Sequence, residues 1–128
     1  MVVGMRARVL ILVLSLAGCA PPIVLPDGDL ARVTAGRSAG PAQSCVAMRT
    51  DQNLRPVDSM TLAYDSGATI YVNQLGAPCP GLEDLSTIIV DAQSGQYCRG
   101  DRIRPLAPGA IIPGPTCNLG DWVPYRAR

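Results

Sequence analysis

The chain has 128 residues, with eleven arginines against ten acids, a formal net charge of +1, and neither histidine, lysine nor phenylalanine. The missing histidine removes the commonest general base, proton shuttle and metal ligand, and the missing lysine excludes Schiff-base and Ser-Lys chemistry. A balance this close to neutral carries no nucleic-acid footprint.

Arg6 and Arg8 precede an unbroken apolar run from Val9 to Leu14, and Leu16-Ala17-Gly18-Cys19 follows it. A charged start, a short apolar stretch and small residues at a processing point describe an export signal. The run falls well short of the roughly 20 residues that span a bilayer. Its last four residues resemble the lipobox of bacterial lipoprotein signal peptides. The resemblance implies cleavage after Gly18 and lipid on the Cys19 thiol, so that residues 1–18 are the signal peptide and the mature chain is held to a membrane. An ordinary secretory signal followed by a chance cysteine is the competing reading. Cleavage takes Arg6 and Arg8 away, which leaves nine arginines against ten acids and room for one small domain.

Residues 19–44 begin Cys-Ala-Pro-Pro-Ile-Val-Leu-Pro-Asp-Gly and continue as a mixture of Ala, Gly, Arg, Ser and Thr. No helical or strand period survives there, so the sequence predicts a lipidated N-terminus on a flexible linker. Its root-mean-square span would be about 25–30 Å. Ala20 is not the aspartate that marks inner-membrane retention in enterobacterial lipoproteins, and by that analogy the outer membrane is favoured.

The folded domain is predicted over 45–128. Cys45 to Arg49 reads as a first strand. From Val57 to Tyr64 residues alternate, with Met60, Leu62 and Tyr64 on one face, and Ala68 to Leu75 alternates again after the turn Asp65-Ser66-Gly67. Two period-2 runs about a glycine turn make a hairpin. Gly76 to Gly81 is a loop, and Leu82 to Leu85 is the one candidate for a short helix. Thr87 to Val90 is a β-branched strand. Arg102 to Leu106 is another, with both arginines outward and Ile103 inward. Ala107 to Thr116 is a Pro/Gly loop, and Asp121 to Tyr125 is the last strand. The fold class is therefore mainly β: a single small domain of about six short antiparallel strands, a barrel-like or sandwich meander.

With Cys19 taken by lipid, four cysteines remain, which in an exported chain reads as two disulfides with three possible connectivities. A zinc site would show close C-x2-4-C pairs, whereas Cys79, Cys98 and Cys117 are evenly and widely spaced. If successive strands simply run up and down, Cys45 and Cys98 open strands at one end and Cys79 and Cys117 at the other. Bridges Cys45–Cys98 and Cys79–Cys117 then satisfy the requirement that bonded cysteines have Cα atoms within about 7 Å. A Greek-key crossover would break this parity.

Tyr71-Val72-Asn73-Gln74-Leu75, Cys79-Pro80-Gly81-Leu82, Tyr97-Cys98-Arg99-Gly100-Asp101 and Cys117-Asn118-Leu119-Gly120 occur in an order that resembles a family of small, cysteine-bearing proteobacterial lipoproteins, a domain of unknown function. The likeness covers about residues 44–125. It implies a periplasm-facing domain in which these positions are structural, and it assigns no activity.

Several side chains invite a chemical reading. Cys98 beside Arg99 and Asp101 has the surroundings of an activated thiol, but no histidine can act as its base, and a half-cystine is the simpler assignment. Glu83 and Asp84 with Asp101 or Asp121 could form an acid/base pair, though acids after Pro-Gly more often begin a helix. Trp122 and Tyr125 could form an aromatic platform, but in a chain so poor in rings Trp122 is expected to fill the core. Arg102 and Arg104 share a strand face at a spacing suited to phosphate or carboxylate; a solvated face is the plainer alternative. Nothing calls for a metal or another cofactor. The leading expectation is a non-catalytic envelope protein, membrane-bound through its lipid, that contacts another envelope protein or an anionic glycolipid through Arg102 and Arg104. A small periplasmic enzyme or enzyme inhibitor using its acids is the alternative.

Overall fold

A computed structural model describes residues 28–128, and the hairpin dominates it. Strand β4 (Thr61–Ser66) pairs antiparallel with β5 (Thr69–Gln74) in full register, Ser66 opposite Thr69. The two residues left for the turn are Gly67 and Ala68, and Gly67 takes φ +63°, a value glycine adopts without steric cost. Around this hairpin the other eight strands are β1 (Arg37–Ala39), β2 (Cys45–Ala47), β3 (Arg55–Asp58), β6 (Thr87–Asp91), β7 (Gln96–Cys98), β8 (Arg102–Leu106), β9 (Cys117–Asn118) and β10 (Trp122–Ala127), with one short helix, α1 (Gly28–Val33). They form three antiparallel sheets: β1-β10-β5-β4-β3, the pair β2-β7, and β6-β8-β9. The mainly β class is as the alternation implied, with more and shorter strands than six.

Three local expectations are corrected. Residues 28–44 are not linker: α1 packs on β3, and β1 pairs with β10. Gln43 and Trp122 exchange both backbone hydrogen bonds at 2.8 Å, so long-range pairing, not local period, orders this segment. Second, the run Val57–Tyr64 is two strands. Asp58 Oδ1 accepts the Met60 N–H at 2.7 Å, an Asx turn that reverses the chain at Ser59-Met60. Met60 is consequently exposed, while Leu62 and Tyr64 are buried. Third, Leu82–Leu85 is not helical. Ser86 Oγ accepts the Glu83 N–H and donates to Gly81 O, both at 3.2 Å, and Leu85 sits at φ +65°.

Both predicted disulfides are present, Cys45–Cys98 and Cys79–Cys117. The arrangement is not a simple meander, since β10 returns to lie between β1 and β5. The first bridge instead follows from register, because Cys45 and Cys98 are directly opposed in the β2–β7 ladder. The second joins the loop after β5 to the first residue of β9.

Trp122, wholly buried, lies at the centre of the core, with the Tyr64 and Tyr97 rings each 6.4 Å away and edge-to-face contact between the two tyrosines at 5.3 Å. Such ring pairs add about 0.5–1.5 kcal/mol beyond area burial. The Tyr64 hydroxyl accepts the Arg49 N–H at 2.7 Å and donates to Ala47 O at 3.3 Å, so a buried ring keeps its polar tip satisfied. Burial, and secondarily the neighbouring Tyr64, pushes the Tyr97 phenol above its ordinary pKa. Leu54, Leu62, Leu75, Leu82, Ile103 and Leu119 complete this core.

Of the buried polar side chains, Asn73 is wholly enclosed. Asn73 donates through Nδ2 to Gly120 O at 2.7 Å and accepts the Gly120 N–H on Oδ1 at 2.8 Å. The loop before β10 is thereby locked to β5. A Cβ on Gly120 would lie 2.3 Å from Gln74 O, so only glycine fits this approach.

Candidate functional site at the third sheet

The β6–β8–β9 sheet presents one face to the core and one outward, and the register says which side chains share each. Val90, Ile103 and Cys117 are aligned across the three strands, and Ile88 aligns with Pro105. Ile103 and Pro105 are fully buried, so this is the inner face. The outer face carries Asp91, Arg102 and Asn118 in one row, Ile89 and Arg104 in the next, and Thr87 and Leu106 at the end.

The two arginines expected to act as a pair differ in their surroundings. Arg102 Nε lies 3.8 Å from Asp91 Oδ2, an exposed pair whose strength is at most about 1 kcal/mol. Arg104 is half-buried and has no carboxylate within 4.0 Å among the described residues. Its cross-strand neighbour is Ile89, whose aliphatic surface can support the guanidinium stem while the head stays in water. The arrangement suits one forked contact with a carboxylate or phosphate rather than two.

The acids are engaged elsewhere. Asp101 Oδ2 accepts the Cys98 N–H at 2.8 Å, and Asp101 N–H in turn donates to Cys98 O, closing the turn between β7 and β8. Asp121 pairs with Arg99 at 3.3 Å and Asp65 with Arg55 at 2.9 Å. A hydrogen bond from Arg49 holds the Asp51 carboxyl below the usual carboxylate range. Glu83 and Asp84 lie in the turn before β6, apart from the Asp101 turn in the chain and bonded to none of it. Cys98 is a half-cystine, which leaves no thiol there to activate. Among the described residues no three of His, Cys, Asp and Glu come together as a metal-binding group, and no helix is long and apolar enough to cross a membrane. Trp122 is too deep for a ligand platform, while Tyr125 is half-buried on β10. Cys19 and the signal peptide lie outside the described residues.

Sequence reasoning misses one further group. Leu85 is 88% exposed, Ile111 93% and Ile112 78%. The signal for the isoleucines is their position between Pro108-Gly109 and Pro113-Gly114, where neither a ladder nor a helix could shelter them. Two open cavities are also present, the first beside the Cys79–Cys117 staple. One of about 360 Å³ is lined by Leu75, Pro78, Pro80, Cys117 and their neighbours, and contains no titratable side chain. The other, of about 410 Å³, lies between Asp29, Asp58, Met60 and Gln74.

No protein-family model, curated protein or solved structure matches the chain.

Proposed function

We propose that this chain is a lipid-anchored envelope protein that faces the periplasm, from the outer membrane rather than the inner, and that its domain binds or supports another envelope component without catalysis. The lipobox-like Leu16-Ala17-Gly18-Cys19 supports the anchor. The two disulfides support an oxidising compartment. The observation that carries the binding surface is Arg104, a cation on an outward sheet face with an aliphatic neighbour and no carboxylate within 4.0 Å among the described residues. A free guanidinium offers an anionic group on a partner protein or glycolipid a bidentate contact.

Crosslinking from intact membranes tests this reading. Arg104→Ala should reduce recovery of the crosslinked partner about tenfold or more, corresponding to the loss of a charge-assisted pair of roughly 1.5–3 kcal/mol. Arg102→Ala, whose side chain already has Asp91, should reduce it less. Undiminished recovery with Arg104→Ala, in a chain with unchanged thermal unfolding, would remove this face as the contact.

A further inference from the structure

The exposed aliphatic residues are not scattered. Thr87 opens β6 opposite Leu106, which closes β8. Leu85, two residues before Thr87, and the loop that follows Leu106 therefore emerge from the same end of one ladder. From Pro105 to Gly120 the chain carries no charge. The loop is also built to hold its shape. Ala107-Pro108-Gly109-Ala110 closes with the Ala110 N–H on Ala107 O at 3.0 Å, with Pro at the second position and Gly109 at φ +77°, the signature of a type II turn. Gly114 donates its N–H to Pro105 O at 2.7 Å, and even a Cβ there would meet Pro80 O at 3.3 Å. Ile111 and Ile112 thus stand in water on a pre-ordered loop, and Leu85 does so at a left-handed backbone conformation that is strained for a residue other than glycine.

The route of the chain to its anchor says what this end faces. Asp29, at the start of the described domain, lines a cavity with Ser59 and Met60. Ser59 O accepts the Cys79 N–H at 2.8 Å, Cys79 is bonded to Cys117, and Pro80 abuts Gly114. The domain therefore leaves toward its N-terminus beside the turn and loops stapled to the aliphatic tip. Only eight residues, nine Cα–Cα steps, separate Cys19 from Gly28. However they are arranged, they reach no further than about 32 Å, so the loop end stays within reach of a bilayer holding the Cys19 lipid.

We propose that Leu85, Ile111 and Ile112 dock this end of the domain into the interfacial layer of that bilayer, an inference that rests on the lipid-anchor reading above. Uncharged Pro/Gly backbone and branched aliphatic side chains suit the boundary between head groups and acyl chains. Glu83 and Asp84, next to Leu85, stay in the aqueous head-group layer and favour zwitterionic over anionic phospholipid.

Depth-dependent quenching tests the docking. Ile111→Trp places an indole at the tip, and the unmutated chain, whose Trp122 is wholly buried, supplies the background to subtract. The purified mature chain is incorporated in phosphatidylcholine vesicles carrying lipid brominated either high or low on the acyl chain, and the acyl mass on Cys19 is measured on the same sample. The added emission should shift to the blue and be quenched at least twofold more by the shallow bromines than by the deep ones. The double change Ile112→Asp with Leu85→Asp should abolish that quenching. An acylated chain whose new indole emits as in water overturns the docking and keeps the anchor, also when an added envelope extract shifts the emission. A quenched indole on a chain without acyl mass keeps the docking and removes the anchor. Neither signal removes both.

Discussion

In the core an amide side chain, Asn73, is wholly buried, while on the surface two isoleucines and a leucine stand in solvent. Both reverse the usual partition of polar and apolar groups, yet they differ in whether the fold accounts for them. Asn73 meets both backbone groups of Gly120, so its burial leaves those groups satisfied and ties β5 to the loop before β10. Ile111 and Ile112 have no such return inside the molecule. Three solvated aliphatic side chains, one in the turn before β6 and two after the Ala107–Ala110 turn, gain nothing for the folded chain, and their gain has to lie in something outside it. An inverted residue explained by its hydrogen bonds points to architecture. One that remains unexplained points to a surface.

The largest effects should fall where the two regions are joined. Cys79–Cys117 closes a 38-residue separation, and its removal by Cys79→Ala with Cys117→Ala should cost about 4 kcal/mol in the chain-entropy model. Cys79 is also almost completely buried, so a cavity cost adds to the entropic one. The half-exposed Cys45–Cys98 pair lacks that addition despite its longer separation of 53 residues. Denaturant midpoints of the two double variants compare them directly, and equal midpoints would show that the buried sulfur of Cys79 contributes nothing by packing. Next in size is Asn73→Ala, which strands the N–H and C=O of Gly120. It should cost about 2–4 kcal/mol, read as a lower thermal midpoint with Arg104-dependent crosslinking retained once folded. A cost under about 0.5 kcal/mol, the scale of an ordinary surface substitution, would mean that the Gly120 groups are solvated and that Asn73 is not the tie.

How much of this could be read from the chain depends on how local the cause is. The hairpin was legible because Leu62, Tyr64 and Gly67 carry its period and its turn within a dozen residues. The reversal at Ser59-Met60 was not, since alternation continues in register through it and only the Asp58 side chain marks the turn. Strand β1 exists because Arg37, Ser38 and Ala39 find β10 almost ninety residues away, a partner no local pattern announces. The Glu83-Asp84 pair read as a helix start, but Ser86 supplies a competing turn that stops it. At the candidate site, alternation placed Arg102 and Arg104 on one face. That Asp91 would reach Arg102 and leave Arg104 alone required the β6–β8 register, which the sequence does not display. The Pro and Gly around Ile111 and Ile112 marked a loop; whether such a loop is covered by the fold or left in water is decided only by packing.

The smallest expected effect sharpens the comparison most. If Ile111 and Ile112 contribute nothing within the fold, Ile111→Ser with Ile112→Ser should leave the stability within about 0.5 kcal/mol of the parent, as for surface substitutions without partners. The direction matters as much as the size. Replacing solvated aliphatic groups by hydroxyls removes no burial, and serine is at home beside proline and glycine in a turn, so any change should be toward higher solubility at unchanged stability. A loss of about 2 kcal/mol or more, the scale of emptying a buried aliphatic site, would instead assign the two isoleucines a packing role in solution, and the loop end would then need no bilayer to explain it. Neutral stability here, together with quenching of the Ile111→Trp indole that is lost on Ile112→Asp with Leu85→Asp, separates the two accounts, because a side chain that matters only at a surface leaves its signature there and nowhere in the unfolding curve.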